Sequence, residues 1–323
     1  MTPLVSIITP SYNQANFLKF TIQSVIQQGY PELEYLIVDG GSKDNSVQII
    51  KNYSNRLSWW VSESDSGQAE AINKGFRRAT GEIIAWLNSD DLYLPGAIHQ
   101  AVTALENDSQ LGLVFGNAVS IDAKGGLLNP LSFGDWGLNE LLRFRIICQP
   151  AVFMRRSVLE EAGYLDLNYH YMLDHHLWLR IARLAPIKHI HCLMAAARQH
   201  PSAKNVSQAP GFGKEALLLL DWMKNNPEFA PLITRDQRRV EGGAYRLNAR
   251  YLLDGNQPGP ALHSYWKAFY RYPGYTLRHG HRILYAMISM LGLKKLADFT
   301  LRLRPGRKPD LTSLPGIEGW PGL

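Results

Sequence analysis

The chain has 323 residues, of which 46% are hydrophobic and 19% charged, with 34 basic against 28 acidic side chains. That composition buries a core and excludes disorder. The net charge of +6 is too small to argue for nucleic acid, though it suits an anionic small molecule or membrane surface. Two cysteines, Cys148 and Cys192, are no disulfide framework and read as small buried apolar residues. Met1-Thr2-Pro3 opens on no charged leader region. No apolar run approaches the roughly 20 residues that span a bilayer, so a cytoplasmic setting is expected.

Leu4–Thr9 is a short β-branched run read as a buried strand that Pro10 stops. Asn16–Gln28 repeats Phe17, Phe20, Ile22, Val25 and Ile26 at helical spacing and ends at Gly29. Glu34–Val38 is a second strand, and Asp44, Asn45 and Ser46 stand before a helical Val47–Tyr53. A strand at Leu57–Val61, a helix at Ala69–Ala79, a strand at Glu82–Leu87 and a helix at Pro95–Glu106 follow. This alternation predicts an α/β fold, an open and mostly parallel sheet covered by helices on both faces. Beyond residue 110 the pattern loosens: strands at Leu113–Ile121, Ala151–Arg155 and Ile187–Leu193, with helices at Ser157–Ala162 and His175–Ala185. From about Gly213 the chain reads as helical, and a Pro/Gly-rich tail after Arg304 reads as loose.

In an open α/β sheet, ligands bind outside the carboxyl ends of the strands. Asp39, Asp65 and the pair Asp90-Asp91 each follow one of the first strands, so they would gather on one rim. Carboxylates gathered there repel one another, and a hard divalent cation with a phosphate-bearing substrate would offset that repulsion.

Six segments then carry a resemblance: VSIITPSYNQ (Val5–Gln14), VDGGSKDNS (Val38–Ser46), SESDSGQAEAINKGF (Ser62–Phe76), GEIIAWLNSDD (Gly81–Asp91), QPAVFMRRSVLEEAGYLD (Gln149–Asp166) and MLDHHLWLRIA (Met172–Ala182). Together they resemble, in order, the family 2 glycosyltransferases of bacterial surface-polysaccharide type, which have the Rossmann-like GT-A fold. The resemblance implies a nucleotide-sugar-binding half over 1–110, an acceptor-binding half over 111–212 and a helical region over 213–323. It implies inverting transfer from a nucleotide-diphosphate sugar, UDP or dTDP favoured, to a glycan or lipid-linked acceptor with Mn²⁺ or Mg²⁺. Pro10 and Tyr12 would cradle base and ribose, and Asp39 would accept a hydrogen bond from the pyrimidine. Asp65 is a second donor-side element, while Asn88, Ser89 and Asp90 stand where the family carries its D-x-D motif, with Asp90 as metal ligand. Asp174 matches the general base, and His200 a late metal or diphosphate ligand.

Each assignment has a structural counterpart. Asp39 also suits the opening of a Gly-rich turn, and Asp65 and Asp174 suit helix N-termini. Asn73 and Lys74 suit the polar end of a helix, His200 an ordinary surface histidine, and Arg155, Arg156 and Arg198 either phosphate donors or solvated side chains. Asn88 replaces the usual first Asp of the metal motif, and Leu173 the acid usual before the base. Two other functions stay open: a sugar-nucleotide-binding protein without turnover, and a metal-dependent hydrolase built from His189-x-His191 with Asp174-His175-His176. Ile283–Leu293, flanked by Arg278, Arg282, Lys294 and Lys295, is too short to span a membrane. It suits peripheral contact with the membrane's inner face or packing on the protein.

Overall fold

The computed structural model describes residues 2–293; the tail after Arg304 and the pair Lys294-Lys295 lie outside them. The chain divides into two compact units, one of 2–138 with 147–199, the other of 139–146 with 200–293 within the described residues.

The first unit alternates as its periodicity demands. It runs β1 (Val5–Ser11), α1 (Leu18–Ile26), β2 (Leu33–Asp39), α2 (Ser46–Asn52), β3 (Trp59–Ser62), α3 (Gln68–Arg78), β4 (Ile83–Trp86), β5 (Leu92–Tyr93) and α4 (Ala97–Glu106). Then come β6 (Leu113–Ile121), β7 (Leu127–Leu131), α5 (Leu138–Leu142) leading out of the unit, β8 (Val152–Arg155), α6 (Arg156–Ala162), α7 (Leu173–Leu184) and β9 (Ile187–Arg198). The nine strands form one sheet in the order β3-β2-β1-β4-β8-β6-β9-β5, with β7 added to β6. β1 to β4 are mutually parallel where they pair, as β6 and β9 are, while β8, β7 and β5 enter antiparallel. The open α/β sheet of the GT-A fold is therefore present, parallel through its nucleotide-side half and mixed beyond it.

β1 is buried along its whole length, and Val5, Ile7, Ile22, Ile37, Ile83 and Phe153 belong to one apolar core. The helix α3 lies so close on β1 that a Cβ at Gly75 would stand 2.4 Å from Ile8 Cγ2. Two of the boundaries that differ from the periodicity bear on the site. Pro10 does not stop β1: it pairs in register with Val38, and β1 leaves β4 after Ile8, so proline sits where the strand has become an edge. Likewise α7 starts at Leu173 with Met172 as its cap, so Asp174 lies inside the first turn and not at the cap.

The second unit is helical, as expected: α8 (Lys204–Ser207), α9 (Ala209–Asn225), α10 (Ala230–Arg235), α11 (Gln237–Asp254), α12 (Pro258–Arg271), α13 (Pro273–Leu277) and α14 (Gly280–Met290). The buried Glu241 of α11 takes Lys224 Nζ of α9 at 2.5 Å and Arg271 Nε of α12 at 2.8 Å. α14 packs through Ala286 against Leu253 and Ala261. No helix among the described residues is long and apolar enough to cross a membrane.

Candidate active site

The parallel strands deliver three of the predicted acids to one rim. Asp39 is the last residue of β2 and lies level with Ser62, the last of β3; Asn88–Asp91 follow β4 at once. Asp39 is fully buried and closes the Gly40-Gly41-Ser42 turn. Its Oδ2 accepts the N–H groups of Gly41 (3.1 Å) and Ser42 (2.9 Å) and the Ser62 hydroxyl (2.7 Å), while Oδ1 accepts the Ser42 hydroxyl at 2.5 Å. A carboxylate oxygen has two lone pairs, so Oδ1 keeps an acceptor position. The turn-opening role is thus directly visible, and the base-reading role is compatible with it. Asp65 comes so close that a Cβ on Gly40 would lie 2.6 Å from its Oδ2. Burial first, with Glu70 and Asp39 adding like charge, holds its carboxyl above the usual range although the Gly67 N–H and Lys74 oppose the shift.

The loop after β1 is stitched to this turn. Asn13, at φ +53°, donates its N–H to the Ser42 hydroxyl at 2.8 Å and accepts the Lys43 N–H at 2.8 Å. Asn and Asp tolerate that left-handed backbone better than most residues. Pro10 is buried beneath the loop and the Tyr12 ring is 60% exposed, which leaves an aromatic face open at the rim.

Asn88 is the centre of an amide network. Its Oδ1 accepts Gln68 Nε2 at 2.8 Å, and its Nδ2 donates to Gln149 Oε1 at 3.0 Å and to Asp91 Oδ2 at 3.3 Å. Gln149 in turn donates to the Trp86 carbonyl at 2.7 Å. Ser89 is buried and Asp90 half-exposed. Asp91 is buried; burial first and the Asp90 charge second push its carboxyl well above the ordinary range. Arg198, the last residue of β9, holds this corner together. Its N–H donates to Asp91 Oδ1 at 2.9 Å, and its guanidinium donates to the carbonyls of Asp90 (2.9 Å) and Asp122 (3.1 Å) while lying over the Phe17 ring.

Asp174 reaches the same neighbourhood. Trp178, one turn along α7, stacks on Trp86 of β4 at 5.1 Å. The Cys148 thiol, raised chiefly by burial, also feels the charges of both Asp91 and Asp174, so both carboxylates lie within electrostatic reach of it. Asp174 Oδ1 accepts the His175 N–H at 2.7 Å.

Other predicted residues have structural work. Asn73 is buried and grips Leu165 at both backbone atoms, at 2.8 and 3.0 Å, and Lys74 pairs with Glu63 at 2.5 Å. Arg155 donates to the carbonyls of Leu111 and Leu105, and Arg156 to Gly81 O and Glu160. Arg198 is buried, Arg155 half-buried and the Arg156 side chain 36% exposed, and each of the three donates to at least one backbone carbonyl. His200 belongs to the second unit and is buried, with Nδ1 at 2.9 Å from Ser202 Oγ. The hydrolase constellation is not assembled: His175 and His176 are buried in α7, whereas His189 and His191 meet Asp135. Sequence reasoning passed over Gln68, Gln149 and the anchoring role of Arg198; the only sequence signal for Gln149 was its place at the head of the Gln149–Asp166 segment.

The sequence pattern of the family described as glycosyl transferase family 2 matches residues 6–162. An uncharacterised glycosyltransferase of Rickettsia conorii is 31% identical over 79% of this chain, which spans 43% of that protein's length. An uncharacterised glycosyltransferase of Mycobacterium tuberculosis is 30% identical over 59% of this chain and 74% of its own. Among solved structures, S. aureus TarS 1-349 in complex with UDP-GlcNAc superposes with TM-score 0.56 at 16% identity, over 93% of this chain and 92% of TarS 1-349. The mannosyltransferase PcManGT from Pyrobaculum calidifontis, in complex with GDP-Man and Mn²⁺, does so with TM-score 0.59 at 19% identity, over 93% and 86%. With the motifs, the rim of acids and the sheet in agreement, the chain belongs to glycosyl transferase family 2.

Proposed function

We propose that this chain is an inverting glycosyltransferase that moves a sugar from a UDP- or dTDP-sugar to a glycan or lipid-linked acceptor of bacterial envelope polysaccharide assembly. The observation that carries the reading is the rim: Asp39 ends β2, while Asp65 and Asp90 follow the carboxyl ends of β3 and β4, all within the parallel run β3-β2-β1-β4, where an open sheet binds its ligand. Tyr12 and the turn closed by Asp39 would take the base and ribose, and residues 1–110 would form the donor half, followed by an acceptor half over 111–212.

The donor set at the rim fits a divalent metal. Asp90 offers a half-exposed carboxylate, Asn88 an amide oxygen, and the crowding of charge is felt by Asp91. Hard oxygen donors of this kind suit Mn²⁺ or Mg²⁺. A bound ion would offset charge on the departing nucleotide diphosphate. Asn88 brings no charge, so the ion would rest mainly on Asp90 and the diphosphate. Asp174 would take the proton of the acceptor hydroxyl as it attacks the sugar from the far face, a single displacement needing one base. Trp178 on Trp86 fixes the helix that presents it, and the Gln68–Asn88–Gln149 chain fixes the loop opposite.

The lipid-linked acceptor draws support from the second unit. A cavity of about 380 Å³ there is lined by Arg143, Arg145, Arg239, Arg278, Tyr272 and Tyr275, donors suited to phosphate. On α14, Leu284, Met287 and Met290 are exposed, an apolar face beside basic residues that suits contact with a membrane surface.

The test is thermal melting against UDP, dTDP, GDP and CMP with and without Mn²⁺, for the wild type and Asp90→Ala. A ligand at 100 times its dissociation constant adds about 2.7 kcal/mol, a rise of several degrees at roughly 2–4 °C per kcal/mol. A Mn²⁺-dependent rise with one nucleotide, lost in Asp90→Ala, is expected. No rise with any nucleotide would overturn the proposal.

A further inference from the structure

His189 and His191 stand two apart on β9 and share a face, their rings 4.4 Å apart. Asp135 meets them there: its Oδ1 lies 3.0 Å from His191 Nε2 and 3.6 Å from His189 Nδ1. The exposures differ sharply. The His189 side chain is 1% exposed, the other two 70% and 77%. His189 stacks on the buried Phe115 at 5.2 Å, Phe133 meets Phe115 edge-on, and Trp136 meets Phe133. One imidazole is therefore held rigidly inside an aromatic wall while its two companions face water.

Hydrogen bonding fixes which nitrogen of His189 carries the proton. The Phe133 N–H can only donate, and it donates to Asn117 Oδ1 at 3.0 Å, so the atom placed there is the amide oxygen. His189 Nε2 lies 3.0 Å from that same oxygen. A carbonyl oxygen cannot donate, so Nε2 bears the hydrogen and the lone pair is on Nδ1. Nδ1 is buried and has no hydrogen-bond partner among the described residues. It points toward a carboxylate oxygen at 3.6 Å, beyond hydrogen-bond reach. A lone pair facing a carboxylate is unfavourable unless a positive charge lies between them.

We propose that His189 Nδ1, His191 Nε2 and Asp135 Oδ1 bind one divalent transition-metal ion of the zinc class, with a fourth position left to water or another small oxygen ligand. A tetrahedral ion with bonds of about 2.0–2.1 Å holds its ligand atoms roughly 3.3 Å apart. The observed 3.0 and 3.6 Å bracket that spacing, and all three atoms lie within 4.8 Å of one another. Two imidazoles favour Zn²⁺, Ni²⁺ or Cu²⁺ over Mg²⁺, so this site and the oxygen-rich rim select different ions. The Asn117 bond to Nε2 is the outer contact that orients a ligating histidine and fixes its tautomer. Such an ion would pin the 132–137 loop to β9, and the inference does not depend on the nucleotide specificity proposed above.

The experiment uses the full chain, untagged and dialysed against EDTA. Zn²⁺ is titrated calorimetrically and Co²⁺ is followed by its visible absorption, for wild type, Asp135→Ala, His191→Ala, Asn117→Ala and Asp90→Ala. Wild type and Asp90→Ala should bind one equivalent with the intense absorption of a four-coordinate cobalt site. Asn117→Ala should bind about 10–100-fold more weakly, and the two ligand variants more weakly still. Asp135 and His191 are exposed, so the metal-free melting points of their variants should equal that of the wild type; Zn²⁺ should raise the melting point of the wild type alone among these three. Absence of Zn²⁺ binding by the wild type would overturn the proposal, as would unchanged stoichiometry and affinity in both Asp135→Ala and His191→Ala.

Discussion

Asn73 offers a sharp test of which residues on the donor side act chemically and which hold the fold. It lies in the Asn-Lys-Gly segment of α3, among the motifs that place the chain in its family, yet its amide spans both backbone atoms of Leu165. Asn73→Ala deletes two buried hydrogen bonds and leaves the N–H and C=O of a buried residue without those partners. At about 0.5–1.5 kcal/mol for each bond and a further desolvation penalty for each stranded group, the expected loss is roughly 2–4 kcal/mol. At about 2–4 °C per kcal/mol, melting should fall by around 5–15 °C. Asn73→Asp should do no better, since it keeps the acceptor for the Leu165 N–H but turns a second oxygen toward the Leu165 carbonyl. The assay is urea denaturation read from the near-ultraviolet signal of the Trp86–Trp178 stack, beside turnover measured well below the melting point. Turnover per folded molecule should stay within a fewfold of wild type. A collapse of turnover with an unchanged melting point would refute the argument and move Asn73 into the catalytic machinery.

Two further outcomes follow from the site. Asp174→Asn should lower kcat by about 10²–10⁴, the usual contribution of a positioned base, while the nucleotide-induced rise in melting point is preserved; loss of both together would argue for a structural role. For His176, burial first and then Arg180 and His175 push the imidazole down to about 3. The unfolded chain therefore takes up the proton first as pH falls. The stability that His176 supplies is complete above its ordinary pKa of 6.5 and declines as pH drops toward 3, with a limiting slope of about 1.4 kcal/mol per pH unit. His176→Leu should flatten the curve of stability against pH in that window, as urea titrations at stepped pH would show, and an unchanged slope would refute the assignment.

Where burial followed period, the sequence was readable. The apolar run of β1, the helical repeats of α1 and α3 and the whole of β6 (Leu113–Ile121) were placed from spacing alone. The misses have local causes. β5 is two residues long, too short to show a period. β7 carries Pro130 on an edge that pairs only with β6, so its sequence gives no strand signal. β9 runs five residues past Leu193 because small residues, Ala195, Ala196 and Ala197, fit between β6 and β5, where apolar patterning gives little signal. At the rim, the acids were legible because each follows a strand. The amide chain through Gln68, Asn88 and Gln149 was not, since it joins residues 61 positions apart and an amide carries no charge to mark it. Arg198 was misjudged for a related reason: nothing in its neighbours in sequence announces that three separate segments will offer it acceptors and a ring.

The heavily bonded carboxylate of Asp39 has a consequence for how tightly a nucleotide can be held. Its four donors, with the stitches from Asn13, Gln14 and Ala15 to Ser42, Ser46 and Asp44, order two loops before any donor arrives. A loop that must be frozen on binding loses about 1–2 kcal/mol of backbone entropy per residue, drawn from the affinity. Here that loss is incurred during folding. Binding should therefore be largely a docking onto a finished surface, and sequence changes in the 40–46 turn should act on donor affinity mainly by loosening the empty site, even where they touch no atom of the nucleotide.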